Sequence, residues 1–163
     1  MMLSKGQKVA TKKHKQKQGM VDISQKKITE RVAIASSTIQ MGAKAFKSLL
    51  DGGSPKGDVL EIAKVAGIMA AKSTPGIIPL CHPLALSKVR ITFETDKKSS
   101  AITSIAEVKC LGRTGVEMEA LCAASIASLT IYDMMKWADR EMVISETKLL
   151  QKAGGKSGLY KRK

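Results

Sequence analysis

Ile78-Pro79-Leu80-Cys81-His82-Pro83-Leu84 places a thiol and an imidazole side by side between two prolines. Each proline fixes its own φ and restricts the residue before it, so Leu80-Cys81-His82 is expected to be short, stiff and extended. His82 is one of two histidines; the other, His14, lies among lysines. A rigid histidine between apolar residues presents a titratable donor without first losing rotamer and backbone freedom. The plain alternative is a buried turn with a hydrogen-bonded core histidine. Neighbours on an extended segment point to opposite sides, which argues against Cys81 as a nucleophile served by His82.

Other polar residues interrupt apolar stretches. Lys72 ends an alanine-rich helical run, Glu117 and Glu119 open a long helix, and Asp133 and Lys136 break its apolar second half. Asp133 and Lys136 are neighbours on one face, suited to general acid–base work if Asp133 is buried as expected. Their plain alternative is an ordinary surface ion pair, and that of Glu117 and Glu119 is favourable placement at a helix N-terminus. Gly112-Arg113-Thr114-Gly115 resembles an anion cradle before a helix, although Glu117 and Glu119 would repel phosphate there. Gly155-Lys156-Ser157 looks like the end of a P-loop but fails the pattern, because the required first glycine is Leu150. A loop whose Lys152 and Lys156 close on phosphates survives that test. Cys81, His82, Cys110 and Cys122 lack zinc-ligand pair spacing, so neither a metal nor a cofactor is called for.

These residues need elements to hold them. Alternation predicts a strand over Arg31–Ser36, strands around Val89–Phe93 and Ala101–Cys110 forming a hairpin, and a last strand near Met142–Leu150. A short helix is expected over Gly42–Leu50. A second, capped by Asp58, should stop near Ser73-Thr74-Pro75-Gly76, and a third should span Glu117–Ala138. Without the first helix, the order is the split β-α-β of an α+β ferredoxin-like two-layer sandwich: an antiparallel sheet with helices on one face, plus one extra helix. The third helix is apolar nearly all round and asks for cover on more than one side, read here as another subunit. Glu119 and Asp133, at its two ends, would lie about 21 Å apart along the axis at 1.5 Å per residue. Both ends can serve one centre only if a second subunit supplies one of them.

Of the formal charge of +14, six lysines before Gly19 and the final Lys161-Arg162-Lys163 carry nine, leaving +5 for residues 20–160. Residues 1–19 read as a disordered basic tail, 20–158 as one folded domain and 159–163 as a basic end. The tails suit nonspecific contact with nucleic acid, a contact not expected to be functional. Aromatics make up 3%, too few for a stacking platform. No secretory signal or membrane span is expected, and three cysteines point to a reducing, cytoplasmic setting.

Several stretches in register resemble the molybdenum cofactor biosynthesis protein C (MoaC) family of cyclic pyranopterin monophosphate synthases. They are Met20-Val21-Asp22-Ile23-Ser24, Lys56-Gly57-Asp58-Val59, Ala66-Gly67 with Ala70-Ala71-Lys72, Ile78 to Leu84, Thr114 to Leu121, Leu129 to Met134 with Lys136, and Gly154-Gly155-Lys156-Ser157-Gly158. The resemblance implies a ferredoxin-like subunit in a homohexamer, a trimer of dimers with active sites between subunits. It implies a lyase acting on a cyclised, GTP-derived triphosphate. It assigns catalysis to Asp133, with Lys136 and Lys56, and substrate binding to Leu80, Cys81, His82, Met118, Glu119, Arg31, Lys72 and Lys152; Glu117 and Lys156 join the binding set.

Overall fold

The computed structural model describes residues 19–163, so the basic tail at 1–18 lies outside the described residues. The chain runs β1 (Thr29–Gln40), α1 (Ala43–Leu50), α2 (Val59–Ile77), β2 (Leu86–Asp96), β3 (Ala101–Gly112), α3 (Glu117–Met135), β4 (Val143–Ala153) and β5 (Tyr160–Lys161). The strands form one antiparallel sheet in the order β2-β3-β1-β4-β5. This is the expected α+β sandwich with one added edge strand.

Side-chain size grades the core from end to end. One cluster is built largely of Ala33, Ala35, Ala106, Ala120, Ala123, Ala124 and Ala127, all fully buried. The other gathers Ile39, Phe46, Leu49, Ile102, Ile131 and four methionines. Burying one such large side chain contributes roughly 1.5–3 kcal/mol, so the second cluster carries much of the hydrophobic stabilisation. The alanines let α3 lie close to the sheet near its N-terminus. Between the layers, Ser128 Oγ donates to the Ser37 carbonyl and lies 3.1 Å from Ser104 Oγ, so these buried hydroxyls are satisfied.

α3 packs on β1, β3 and β4 with one side and on α2 with another. Much of the apolar surface read as needing a second subunit is therefore covered by α2. The large apolar side chains that stay exposed include Leu129 and Met118 on α3, and Ile62, Val65 and Met69 on α2. Spacings of three and four put the α2 residues on one stripe.

Element ends depart from expectation where pairing overrides local signals. Asp58 caps α2 as expected, its Oδ1 accepting the Glu61 amide at 3.0 Å. The helix runs through Pro75 to Ile77, because a proline in the last turn forfeits only one backbone bond, and the Ile78 amide donates to the Thr74 carbonyl at 2.8 Å. β4 extends past Leu150 to Ala153, because β1 pairs with it to Val32↔Ala153. The unforeseen β5 folds back on that edge, with Lys152↔Tyr160 in register. α3 ends at Met135, three residues earlier than expected. Among the described residues no helix is long and apolar enough to cross a membrane.

α2 and α3 touch at Gly67, where an added Cβ would meet the Ala123 carbonyl oxygen at 3.0 Å and Ile91 Cγ1 at 3.2 Å. Gly67→Val should wedge the layers apart and cost about 1–3 kcal/mol, read as a drop of several degrees in thermal unfolding. An unchanged midpoint would show that this contact is looser than described.

Candidate active site

Strand register brings Arg31, Cys110 and Lys152 to one end of the sheet, beneath the start of α3. Arg31 pairs with Cys110, and Lys152 pairs with Ala33 two residues along the same face of β1. Arg31 Nε donates to the Gly112 carbonyl and its Nη2 to that of Arg113, both at 3.3 Å. Gly155, at φ +72°, is where a Cβ would collide with that guanidinium, so the loop and Arg31 require a glycine there. Lys152 Nζ reaches Ser157 Oγ at 2.6 Å and Glu117 Oε1 at 3.8 Å. These groups, with Lys156, line a cavity of about 290 Å³.

A second cavity of about 400 Å³ adjoins it across Thr114, Gly115 and Glu117, and holds Leu80, Cys81, His82, Met118 and Glu119. The segment bearing Cys81 begins as a turn rather than the extended piece expected. The Cys81 amide donates to the Ile78 carbonyl at 3.1 Å, with Pro79 in the turn position that suits its fixed φ. His82 Nε2 lies 2.7 Å from the Val21 carbonyl. A carbonyl only accepts, so Nε2 carries the proton in this contact.

Glu119 is 3% exposed. Burial pushes its carboxyl up from the usual range, and the charge of Glu117 adds to the rise, against a lowering contribution from its own backbone amide. Burial likewise raises the Cys81 thiol, with further rises from the charge of Glu119 and from Cys122. A protonated thiol is a poor nucleophile.

Lys56, Asp133 and Lys136 are held together at the opposite end of α3. Asp133 Oδ1 lies 2.8 Å from Lys136 Nζ and Oδ2 lies 2.7 Å from Lys56 Nζ. Hydrogen bonds from Lys136, then from Lys56, pull the Asp133 carboxyl down to about 2. The expectation of a buried Asp133 is corrected: its side chain is 52% exposed, because its position on α3 faces away from both the sheet and α2. Ion pairs this open are weak and screened by salt. Lys72 stands apart from both groups, beside Leu84 and Leu86 in a hollow of about 350 Å³.

One end of the subunit thus collects Arg31, Leu80, Cys81, His82, Glu117, Met118, Glu119, Lys152 and Lys156, and the other collects Lys56, Asp133 and Lys136. Two residues at the first end escaped the site assignment. Arg113 sat in a glycine-rich stretch discounted because of the nearby glutamates, and Lys26, beside Lys27, has the look of ordinary solvated charge.

Residues 20–155 match the model of the MoaC family. The chain belongs to the MoaC family. It is 52% identical over 143 residues to the cyclic pyranopterin monophosphate synthase of Magnetococcus marinus, covering 88% of each chain. It is 53% identical over 144 residues to that of Staphylococcus carnosus, covering 88% of this chain and 89% of the relative. Against the synthase of Thermoanaerobacter sp. the identity is 52% over 143 residues, covering 88% and 90%. In this MoaC family member the expected motifs thus meet a subunit that gathers most of their polar residues at one end of α3.

Because ionising Glu119 is penalised in the fold, stability is fullest below the ordinary carboxyl value near 4.5 and falls as pH rises through the raised one. Glu119→Gln should therefore unfold at a higher temperature than the parent at pH 8, with the gap closing by about pH 4. A lower midpoint at pH 8 would show that ionised Glu119 is a net stabiliser.

Proposed function

We propose that this chain is a cyclic pyranopterin monophosphate synthase, a phosphorus–oxygen lyase of molybdenum cofactor biosynthesis. It would convert (8S)-3',8-cyclo-7,8-dihydroguanosine 5'-triphosphate into cyclic pyranopterin monophosphate and diphosphate. The observation that carries this reading is the pair of joined cavities, one holding His82, Glu119 and several apolar side chains, the other Arg31, Lys152 and Lys156, with Lys26 and Glu117 lining both. The first suits a purine-derived ring and the second a triphosphate, and the name of the relatives, cyclic pyranopterin monophosphate synthase, gives the product.

The reaction rebuilds a ring through several proton transfers and closes a cyclic phosphate. In the closure a sugar hydroxyl oxygen bonds to the α-phosphorus, the bond from that phosphorus to the bridging oxygen breaks, and diphosphate departs. The hydroxyl proton passes to a base. Cations fixed around the phosphates stabilise the charge that develops on the leaving oxygen. Enclosed Glu119, with its raised carboxyl, suits a proton donor, and Asp133, ionised above about pH 2, suits a carboxylate that orients Lys56 and Lys136. His82 Nε2–H is placed to donate to the substrate once the Val21 carbonyl releases it.

The Asp133 group would act on substrate held by another subunit, in a trimer of dimers. Support comes from its distance along α3 from Glu119, about 21 Å, and from the exposed stripe of Ile62, Val65 and Met69. Lys72, outside both cavities, is assigned the same route to the phosphates. The free cysteines Cys81, Cys110 and Cys122 favour work in the cytoplasm.

Purified protein should release one diphosphate per cyclic pyranopterin formed from the cyclised triphosphate. Lys136→Ala should lower the rate by roughly 10²–10⁴. Parent protein that forms no product would overturn the reading, and a monomer in light scattering at micromolar concentration would overturn the shared site.

A further inference from the structure

Lys26 belongs to neither group of expected site residues, yet its surroundings are built. The Lys26 amide donates to the Ile23 carbonyl at 3.0 Å, and the Ser24 amide donates to Asp22 Oδ1 at 2.8 Å, which folds residues 22–26 into a compact turn. Arg113 Nη1 donates to the carbonyls of Ser24 and Lys26, both at 2.5 Å. Arg113 is itself held through its own carbonyl by Arg31. His82 ties down the near end at Val21. The turn is therefore fastened at both ends by residues of the two cavities.

Among the described residues, Lys26 alone lines both of those cavities and a third one outside them. The third hollow, of about 420 Å³, is lined by Lys26, Lys27, Arg31 and Lys156 with no carboxylate. It also includes Thr29, whose Oγ1 is buried without a hydrogen-bond partner. The Lys26 ammonium takes part in none of the ion pairs formed among the described residues. A lysine whose backbone is held where three cavities meet, and whose exposed ammonium forms no ion pair among the described residues, suits the middle of an extended polyanion, since a point charge grips phosphate without a directional fork.

We propose that Lys26 is a further substrate-binding residue: it holds the phosphate chain at the junction of the cavities and keeps hold of the diphosphate as it leaves. Arg113 is the positioning residue that sets Lys26 there. This rests on the synthase reading for the identity of the ligand, while the anion site rests on the geometry alone.

The test titrates inorganic diphosphate into the full-length assembled protein by calorimetry at fixed ionic strength, alongside steady-state kinetics. Lys26→Ala should weaken diphosphate binding at least tenfold and raise KM for the triphosphate substrate by a similar factor, and Lys26→Arg should recover most of the binding. Lys44→Ala removes the same charge from the exposed face of α1 and should change binding less than twofold. Arg113→Ala should weaken binding as Lys26→Ala does, and the double variant should be no worse than either alone. Unchanged diphosphate affinity in Lys26→Ala, or a loss matched by Lys44→Ala, would overturn the proposal. Additive losses would overturn the role of Arg113, and should Arg113→Ala fail to fold, the Lys26 variants still decide. If the parent binds diphosphate through Lys26 but makes no product, the synthase reading fails and the anion site stands. If it makes product and Lys26→Ala matches it in KM and affinity, the inference fails alone.

Discussion

The close approach of α3 to the sheet governs the rest of this structure, and alanine sets it. Ala120, Ala123, Ala124 and Ala127 face Ala33, Ala35 and Ala106, so the helix start lies low over the ends of β1 and β3. A larger side chain in that layer would lift the helix and carry Glu117 and Glu119 away from Arg31 and Lys152. Interiors packed at crystal density transmit such a change rather than absorb it. The larger residues are displaced to the far end, where Phe46, Ile131 and the methionines supply the burial that the alanines cannot.

A helix of this length then gives the side chains at its two ends different settings. Its first turn places Glu119 in an apolar, enclosed setting that favours the neutral acid. Its last turn places Asp133 in the open between two ammonium groups that favour the ionised base. One scaffold thus pushes two carboxyls in opposite directions, a separation that acid–base chemistry near neutral pH uses. It also keeps them, about 21 Å apart along the helix axis, too distant to act on one atom from within a single chain.

The order of elements and the sandwich were legible because alternation in Val89, Ile91 and Phe93, the Asp58 cap and the glycine breaks each report local geometry. Most of the cavity residues were legible through the motifs that carry them. The turn at Cys81, the helix through Pro75 and the strand β5 were not, because each is decided by a backbone bond to a partner that local pattern does not name. Asp133 read as buried because apolar residues flank it in sequence, whereas exposure depends on which side of α3 meets α2. Lys26 was hidden for a related reason: nothing in Gln25-Lys26-Lys27 distinguishes a lysine that lines three cavities from one in solvent.

Mixing two inactive variants tests the shared site most directly. His82→Ala damages the cavity end and Lys136→Ala the opposite end, so a hybrid interface can carry both intact halves. After subunit exchange, verified by mass spectrometry of the mixed assembly, an equimolar mixture should regain roughly a quarter of parent activity, since each site draws its halves from different chains. No recovery despite proven exchange would mean that each site is built within one chain, and the division of α3 between two sites would be wrong.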